Sequence, residues 1–140
     1  MIQLIVGNKG KGKTKHLLAN VNEAIKGANG NIVYVDKSSK HMYELNNKVR
    51  LIDVKEYGIS NSSEFIGFVC GIISQDHDLE ELYFDSFLKL AGLEEGADLQ
   101  PVLARLAEIS EKYNVKITIS ISVDEKDIPE EMKSSIIVSL

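Results

Sequence analysis

Gly7, Gly10 and Gly12, followed by Lys13 and Thr14, give the pattern G-x-x-x-x-G-K-[ST], written out here as G-N-K-G-K-G-K-T. Glycines at this spacing allow a tight turn in which several backbone N–H groups converge on one anion. The chemistry that needs such a turn is the binding of a polyphosphate: Lys13 reaches the β- and γ-phosphates, and Thr14 offers its hydroxyl to Mg²⁺. The residues expected to line this loop are Gly7, Asn8, Lys9, Gly10, Lys11, Gly12, Lys13 and Thr14. The ligand they imply is ATP or ADP with Mg²⁺.

The elements that must position the loop are legible on both sides of it. Ile2 to Val6 is an apolar run of strand length, and Leu17, Leu18, Val21, Ala24, Ile25 and Ala28 recur at helical spacing until Asn29-Gly30. The loop therefore joins a buried strand to an amphipathic helix, whose positive N-terminus would face the anion. Ile32 to Val35 reads as a second strand ending at Asp36, with Ser38 able to cap a short helix containing Met42, Tyr43 and Leu45. Val49 to Asp53 reads as a third strand. Asn61 and Glu64 form a capping-box spacing before a helix from about Ser62 to Ser74, and Gly67 and Gly71 on that helix predict a closely packed neighbour.

Glu81 to Phe84 is a fourth strand ending in Asp85, followed by a short helix through Phe87, Leu88 and Leu90. Asp98 opens another helix, with Pro101 in its first turn and Leu99, Val102, Leu103, Leu106 and Ile109 as its stripe. From Val115 to Val123, Lys116, Thr118, Ser120 and Ser122 alternate with apolar residues, which predicts a one-sided strand near a sheet edge. Ile136 to Val138 adds a last strand. Alternating strands and helices predict a three-layer α/β fold around a mostly parallel sheet, with ligand at the carboxyl ends of the strands. The phosphate-loop motif at the end of the first strand makes the expected version of it a P-loop NTPase fold.

A nucleotide-bound Mg²⁺ needs a second anchor, typically an acidic residue ending an apolar strand. Asp85 is the residue expected to serve with Thr14 as the metal pair; Asp53 is its main rival, and Asp36 also ends a strand. Asp76-His77-Asp78 reads as a polar loop, since adjacent residues cannot all face one ion, and His16 and His41 stand in no ligand pattern.

The chain has 140 residues, 44% of them hydrophobic and 26% charged, which predicts one nucleotide-binding domain over residues 1–140. Its net charge of −5 disfavours a nucleic-acid surface, which needs a basic stripe. The single cysteine, Cys70, lies among apolar residues and reads as a small buried hydrophobe. No apolar run reaches the roughly 20 residues that span a bilayer, so the expectation is a cytoplasmic protein without a membrane partner.

G-N-K-G-K-G-K-T, N-I-V-Y-V-D-K-S and E-L-Y-F-D-S together resemble the RecA-like branch of P-loop ATPases over nearly the whole chain. The chain is also similar to short P-loop proteins of Firmicutes labelled twitching motility protein PilT. The resemblance implies an ATP-binding protein of ATPase type. In RecA-like enzymes a Glu that polarises the attacking water follows the second strand or the metal-binding Asp. Here Lys37, Ser38 and Ser39 follow Asp36, and Ser86 follows Asp85; Glu44, Glu56 and Glu64 are the alternatives, each reading more simply as a surface glutamate. Catalytic residues thus stay unassigned. Hydrolysis is expected to be slow or dependent on a homo-oligomer or protein partner that supplies a group in trans. Two other functions stay open: a non-catalytic nucleotide-responsive module, and a small-molecule kinase, disfavoured because Arg50 and Arg105 are the only arginines.

Overall fold

The computed structural model describes all 140 residues. Six strands, β1 (Ile2–Val6), β2 (Asn31–Asp36), β3 (Arg50–Asp53), β4 (Leu79–Phe84), β5 (Lys116–Ile121) and β6 (Ile136–Ser139), form one sheet in the order β3-β2-β4-β5-β1-β6. Every neighbouring pair is parallel. Parallel pairing demands crossovers, and helices on both faces supply them.

One face is covered by α1 (Lys13–Gly27), which buries Leu17, Leu18, Val21 and Ile25 against Ile5, Ile32, Tyr34 and Tyr83. The opposite face carries α2 (Ser62–Ser74), the one-turn α3 (Phe87–Leu90) and α4 (Gln100–Tyr113) over a core of 27 buried residues. Phe65 of α2 stacks edge-on against Phe84 at 5.1 Å and Phe87 at 5.9 Å between ring centroids. Such pairs add about 1 kcal/mol each beyond their burial. These rings flank Asp85, so aromatic packing fixes the end of β4 where a functional carboxylate is expected.

Helix ends follow the sequence closely. Asn61 Oδ1 accepts the Glu64 N–H at 2.9 Å, while the Glu64 carboxylate reaches back to Ser60 N–H at 2.7 Å, one residue before its usual target. Pro101 occupies the first turn of α4, where its missing N–H costs nothing.

Four expectations are corrected. β5 is interior, between β4 and β1, with Thr118 and Ser120 each 1% exposed. Their hydroxyls mimic a solvent face in the sequence, but Ser120 is hydrogen-bonded inside the protein and Thr118 Oγ1 lies 3.4 Å from Gln3 Oε1. Gly67 and Gly71 are exposed and no element approaches them, so no tight packing explains the pair. Ser38 caps no helix: its Oγ accepts only the Lys40 N–H at 3.4 Å, and the following segment contains one 3₁₀ turn, Met42–Glu44. Cys70 is half-buried at the margin of the core.

Candidate functional site

The loop between β1 and α1 is built from backbone that only glycine adopts easily. Gly10 has φ 86° and Gly12 φ 93°, left-handed values that strain any residue with a Cβ. Gly7 is buried, and its N–H is held by the Val123 carbonyl at 2.9 Å, which ties the loop's start to the end of β5. From Asn8 through Lys15, by contrast, no backbone N–H donates to any acceptor in the protein. Asn8, Lys9, Gly10, Lys11 and Gly12 are exposed. A run of free donors curling into a helix N-terminus is an anion-binding concavity.

Lys13 does not point into solvent. It is 7% exposed, its Nζ donates to the Asn8 carbonyl across the loop at 3.2 Å, and burial lowers its pKa, an effect partly offset by the charge of Asp85. Thr14 Oγ1 donates to Asp85 Oδ1 at 3.2 Å. Asp85 also accepts from Ser120 Oγ at 2.7 Å and, on its other oxygen, from Tyr34 O–H at 2.9 Å. The Tyr34 pKa is raised, by burial first and then by Asp85, which keeps the phenol protonated as a donor. The strand order explains this convergence. β5 lies between β1 and β4, and β2 lies on β4's other side, so Thr14, Ser120 and Tyr34 reach Asp85 from three directions.

Asp53 stands elsewhere. It ends β3, the outermost strand, and its Oδ1 accepts the Lys55 N–H at 3.0 Å, capping the next 3₁₀ turn. Asp36 is the surprise. At 1% exposure, its Oδ1 accepts the Lys37 N–H at 2.7 Å while Oδ2 has no hydrogen-bond partner. Burial, then repulsion from Asp85, pushes its pKa up to about 6. Asp36, His41 and Asp85 each offer a ligating atom, all within 4.8 Å of one another. His41 is also paired with Glu44 Oε1 through Nδ1 at 3.2 Å. The orphaned carboxylate oxygen and the Thr14–Asp85 pair make a donor set of oxygens and an imidazole that suits a divalent cation. The sequence flagged Asp36 only as a strand end and set His41 aside. The β2–β4 pairing, which carries both to Asp85, leaves no local signature.

Thr14, Asp85 and Ser120 border a cavity of about 360 Å³ at the carboxyl ends of β2, β4 and β5, whose lining does not include Asp36 or His41. Five lysines line it: Lys9, Lys13, Lys37, Lys40 and Lys89, together with Thr14, Asp85, Ser86, Ser120 and Ser122. None of the five forms a salt bridge. Neither arginine lines the cavity: Arg50 pairs with Asp76 at 3.6 Å and Arg105 with Glu108 at 3.6 Å. Glu44, Glu56 and Glu64 are exposed and outside the lining. Asp76 anchors its own loop by accepting from Asn31 and the Asp78 N–H, as expected of a polar turn.

No family profile and no curated protein sequence matches this chain. Solved structures do. The flagellar accessory protein FlaH of Methanocaldococcus jannaschii aligns over 95% of this chain and 65% of its own, with a TM-score of 0.57 and 14% identity. The pCW3 conjugation coupling protein TcpA, in a monomer form with ATPγS, aligns over 96% of this chain and 46% of its own, with a TM-score of 0.45 and 18% identity. The chain thus spans less than two thirds of either. The fold is α/β with a parallel central sheet, in keeping with P-loop NTPase architecture, and the likeness is not specific to the proteins labelled PilT. No helix is long and apolar enough to cross a membrane.

Proposed function

We propose that residues 1–140 form a single nucleotide-binding domain of RecA-like P-loop type that binds ATP or ADP with Mg²⁺ through Gly7–Thr14. The observation that carries this reading is the unbroken run of unpaired N–H groups from Asn8 to Lys15, beside a cavity whose five lysines form no salt bridge. A polyphosphate satisfies both at once. Thr14 and Asp85 would hold the metal, with Asp36 and His41 close enough to contribute. When bound, Mg²⁺ neutralises phosphate charge and orients the β- and γ-oxygens.

Slow or partner-dependent hydrolysis fits the lining. No glutamate lines the lysine-rich cavity; Glu44 shares an adjoining hollow with Thr14, Lys15 and His41 but is exposed and paired with His41 Nδ1 at 3.2 Å. Asp36 itself ends β2, one methylene shorter than the residue RecA-like enzymes use to polarise water. No arginine lines the cavity, so a transition-state cation of that kind must come from a second copy or a partner protein. The same scarcity disfavours a kinase lid. A nucleotide-responsive module in a cytoplasmic setting stays the second reading, supported by the same lack of a glutamate.

Calorimetry with Mg²⁺-ATP and Mg²⁺-ADP tests binding, and phosphate release by monodisperse protein beside Lys13→Ala tests turnover. Binding with turnover well below one per second is the expected outcome. Lys13-dependent turnover of roughly one per second or faster would show that a catalytic group has been missed.

A further inference from the structure

The cavity holds more positive charge than the phosphate loop itself provides. Lys9 and Lys13 belong to the loop; Lys37 and Lys40 come from the segment after β2, and Lys89 from α3 after β4. Because β2 and β4 are hydrogen-bonded neighbours, these last three gather on the β2–β4 side of the cavity, the side that also brings Asp85. Lys37 is half-buried; burial first and then the repulsion of Lys89 and Lys40 lower its pKa, against a smaller opposing attraction from Asp36 and Asp85. Like charges collected without ion-pair partners, in a chain of net charge −5, are tolerated where an anion neutralises them. The five account for nearly a third of the 16 basic residues, so the clustering is not a consequence of a basic chain.

We propose that Lys37, Lys40 and Lys89 form a second cationic wall that contacts the terminal phosphoryl group, so that the site distinguishes a nucleoside triphosphate from a diphosphate within one chain. The proposal rests on the reading of the loop as a nucleotide site and adds the source of its selectivity. The loop N–H groups and Lys13 suffice to hold the phosphates that a diphosphate shares with a triphosphate. The second wall has a role only when the phosphate chain extends past them. Lys37 contributes its ammonium alone, since its N–H is already held by Asp36 Oδ1. Lysine also suits the position: a compact charge on a long stem follows a phosphoryl oxygen without the fixed fork geometry of arginine.

The test is calorimetry with Mg²⁺ plus either ADP or a β,γ-imido triphosphate analogue, on the full chain. In the triple variant K37A/K40A/K89A, triphosphate affinity should fall at least tenfold while diphosphate affinity changes less than threefold. A control that removes the same charge from remote lysines, K26A/K112A/K126A, should leave the ratio of the two affinities unchanged. The three wall side chains sit outside the apolar core, and the single variant Lys37→Gln reads the same ratio should the triple variant lose its fold. Parallel losses for both nucleotides would reduce the wall to a diffuse field and overturn the proposal, as would an unchanged ratio. Failure of the underlying site reading looks different: Lys13→Ala would then leave both affinities intact, or the wild-type protein would bind neither nucleotide.

Discussion

The two ends of the same sheet carry hollows of opposite character. At the amino ends of the strands, Asn29, Gly30, His77 to Glu81, Tyr113, Asn114 and Lys116 surround an open depression of about 710 Å³. At the carboxyl ends, the lysine-lined cavity has about half that volume. The larger hollow is chemically settled: Glu80 accepts the Gly30 N–H at 2.8 Å, while Glu81 accepts the Tyr83 hydroxyl at 2.7 Å and pairs with Lys116 at 4.0 Å. The smaller one holds five ammoniums without a salt bridge and free loop N–H groups, and the buried Asp36 close to its Asp85 keeps an orphaned carboxylate oxygen. Unspent polar capacity marks a binding site better than size does, because a protein that folds for stability alone satisfies its buried polar groups.

The comparison breaks most visibly if one charge is removed from each end. Lys13→Ala deletes a charge-assisted phosphate contact and should weaken nucleotide binding on the order of a hundredfold, about 3 kcal/mol. Glu81→Gln, at the other end, should leave affinity unchanged and lower stability only slightly, since its ion pair is long and partly exposed. Titration calorimetry of both variants decides it; equal losses would mean that the carboxyl end has no privileged role.

Next in size is the pH response of Asp36. Its folded pKa of about 6 lies above the ordinary value of 3.8. The folded state therefore binds more protons than the unfolded state between those values, and this contribution to stability is fully present below pH 4 and lost as pH rises through 6. The loss is on the order of 2–3 kcal/mol. In protein stripped of nucleotide and metal, Asp36→Asn should be more stable than wild type at pH 8, with the advantage shrinking toward zero near pH 4. Denaturant unfolding across that range measures it, and a pH-independent difference would show that the carboxylate is not strained by burial.

Asp85→Asn should reduce the Mg²⁺ dependence of nucleotide binding about tenfold, whereas Asp53→Asn should leave it alone and lose only a turn cap. Binding titrations with and without Mg²⁺ compare them; the reverse ranking would move the metal anchor to the sheet edge.

How much of this was legible follows from sequence distance. The loop and its flanking strand and helix are contiguous, so glycine spacing and hydrophobic periodicity sufficed. Asp85 was legible because a short apolar strand ending in Asp is itself a local pattern. Lys37, Lys40, His41 and Lys89 were not, because only the adjacency of β2 and β4 brings them together, and strand order is a non-local property. β5 was misread for a related reason. Its Ser and Thr residues alternate as if facing water, yet Ser120 faces Asp85 and holds the Ser86 N–H at 3.0 Å. A hydrogen-bonded polar interior and a solvent face leave the same trace in a sequence.

The smallest effect compares backbone strain at the two ends. The protein's two non-glycine residues with positive φ are Ser86, at 55° beside the cavity, and Asn114, at 53° in the amino-end hollow. Asn114 ends α4 in a conformation that asparagine adopts readily, with its N–H on the Ser110 carbonyl. Serine has no such tolerance, and the left-handed conformation costs an ordinary L-residue about 1–2 kcal/mol. Ser86 is held there by the Ser120 hydroxyl on its N–H and by Phe87 buried behind it. Glycine relieves that strain but loses some 0.5–1 kcal/mol in backbone entropy. Ser86→Gly should thus raise stability by about 0.5 kcal/mol, while Asn114→Gly should be neutral or slightly destabilising. Thermal unfolding of the pair measures the difference. Equal responses would show that the turn after Asp85 stores no strain, and that rigidity at the cavity comes from the hydroxyl network around Asp85 alone.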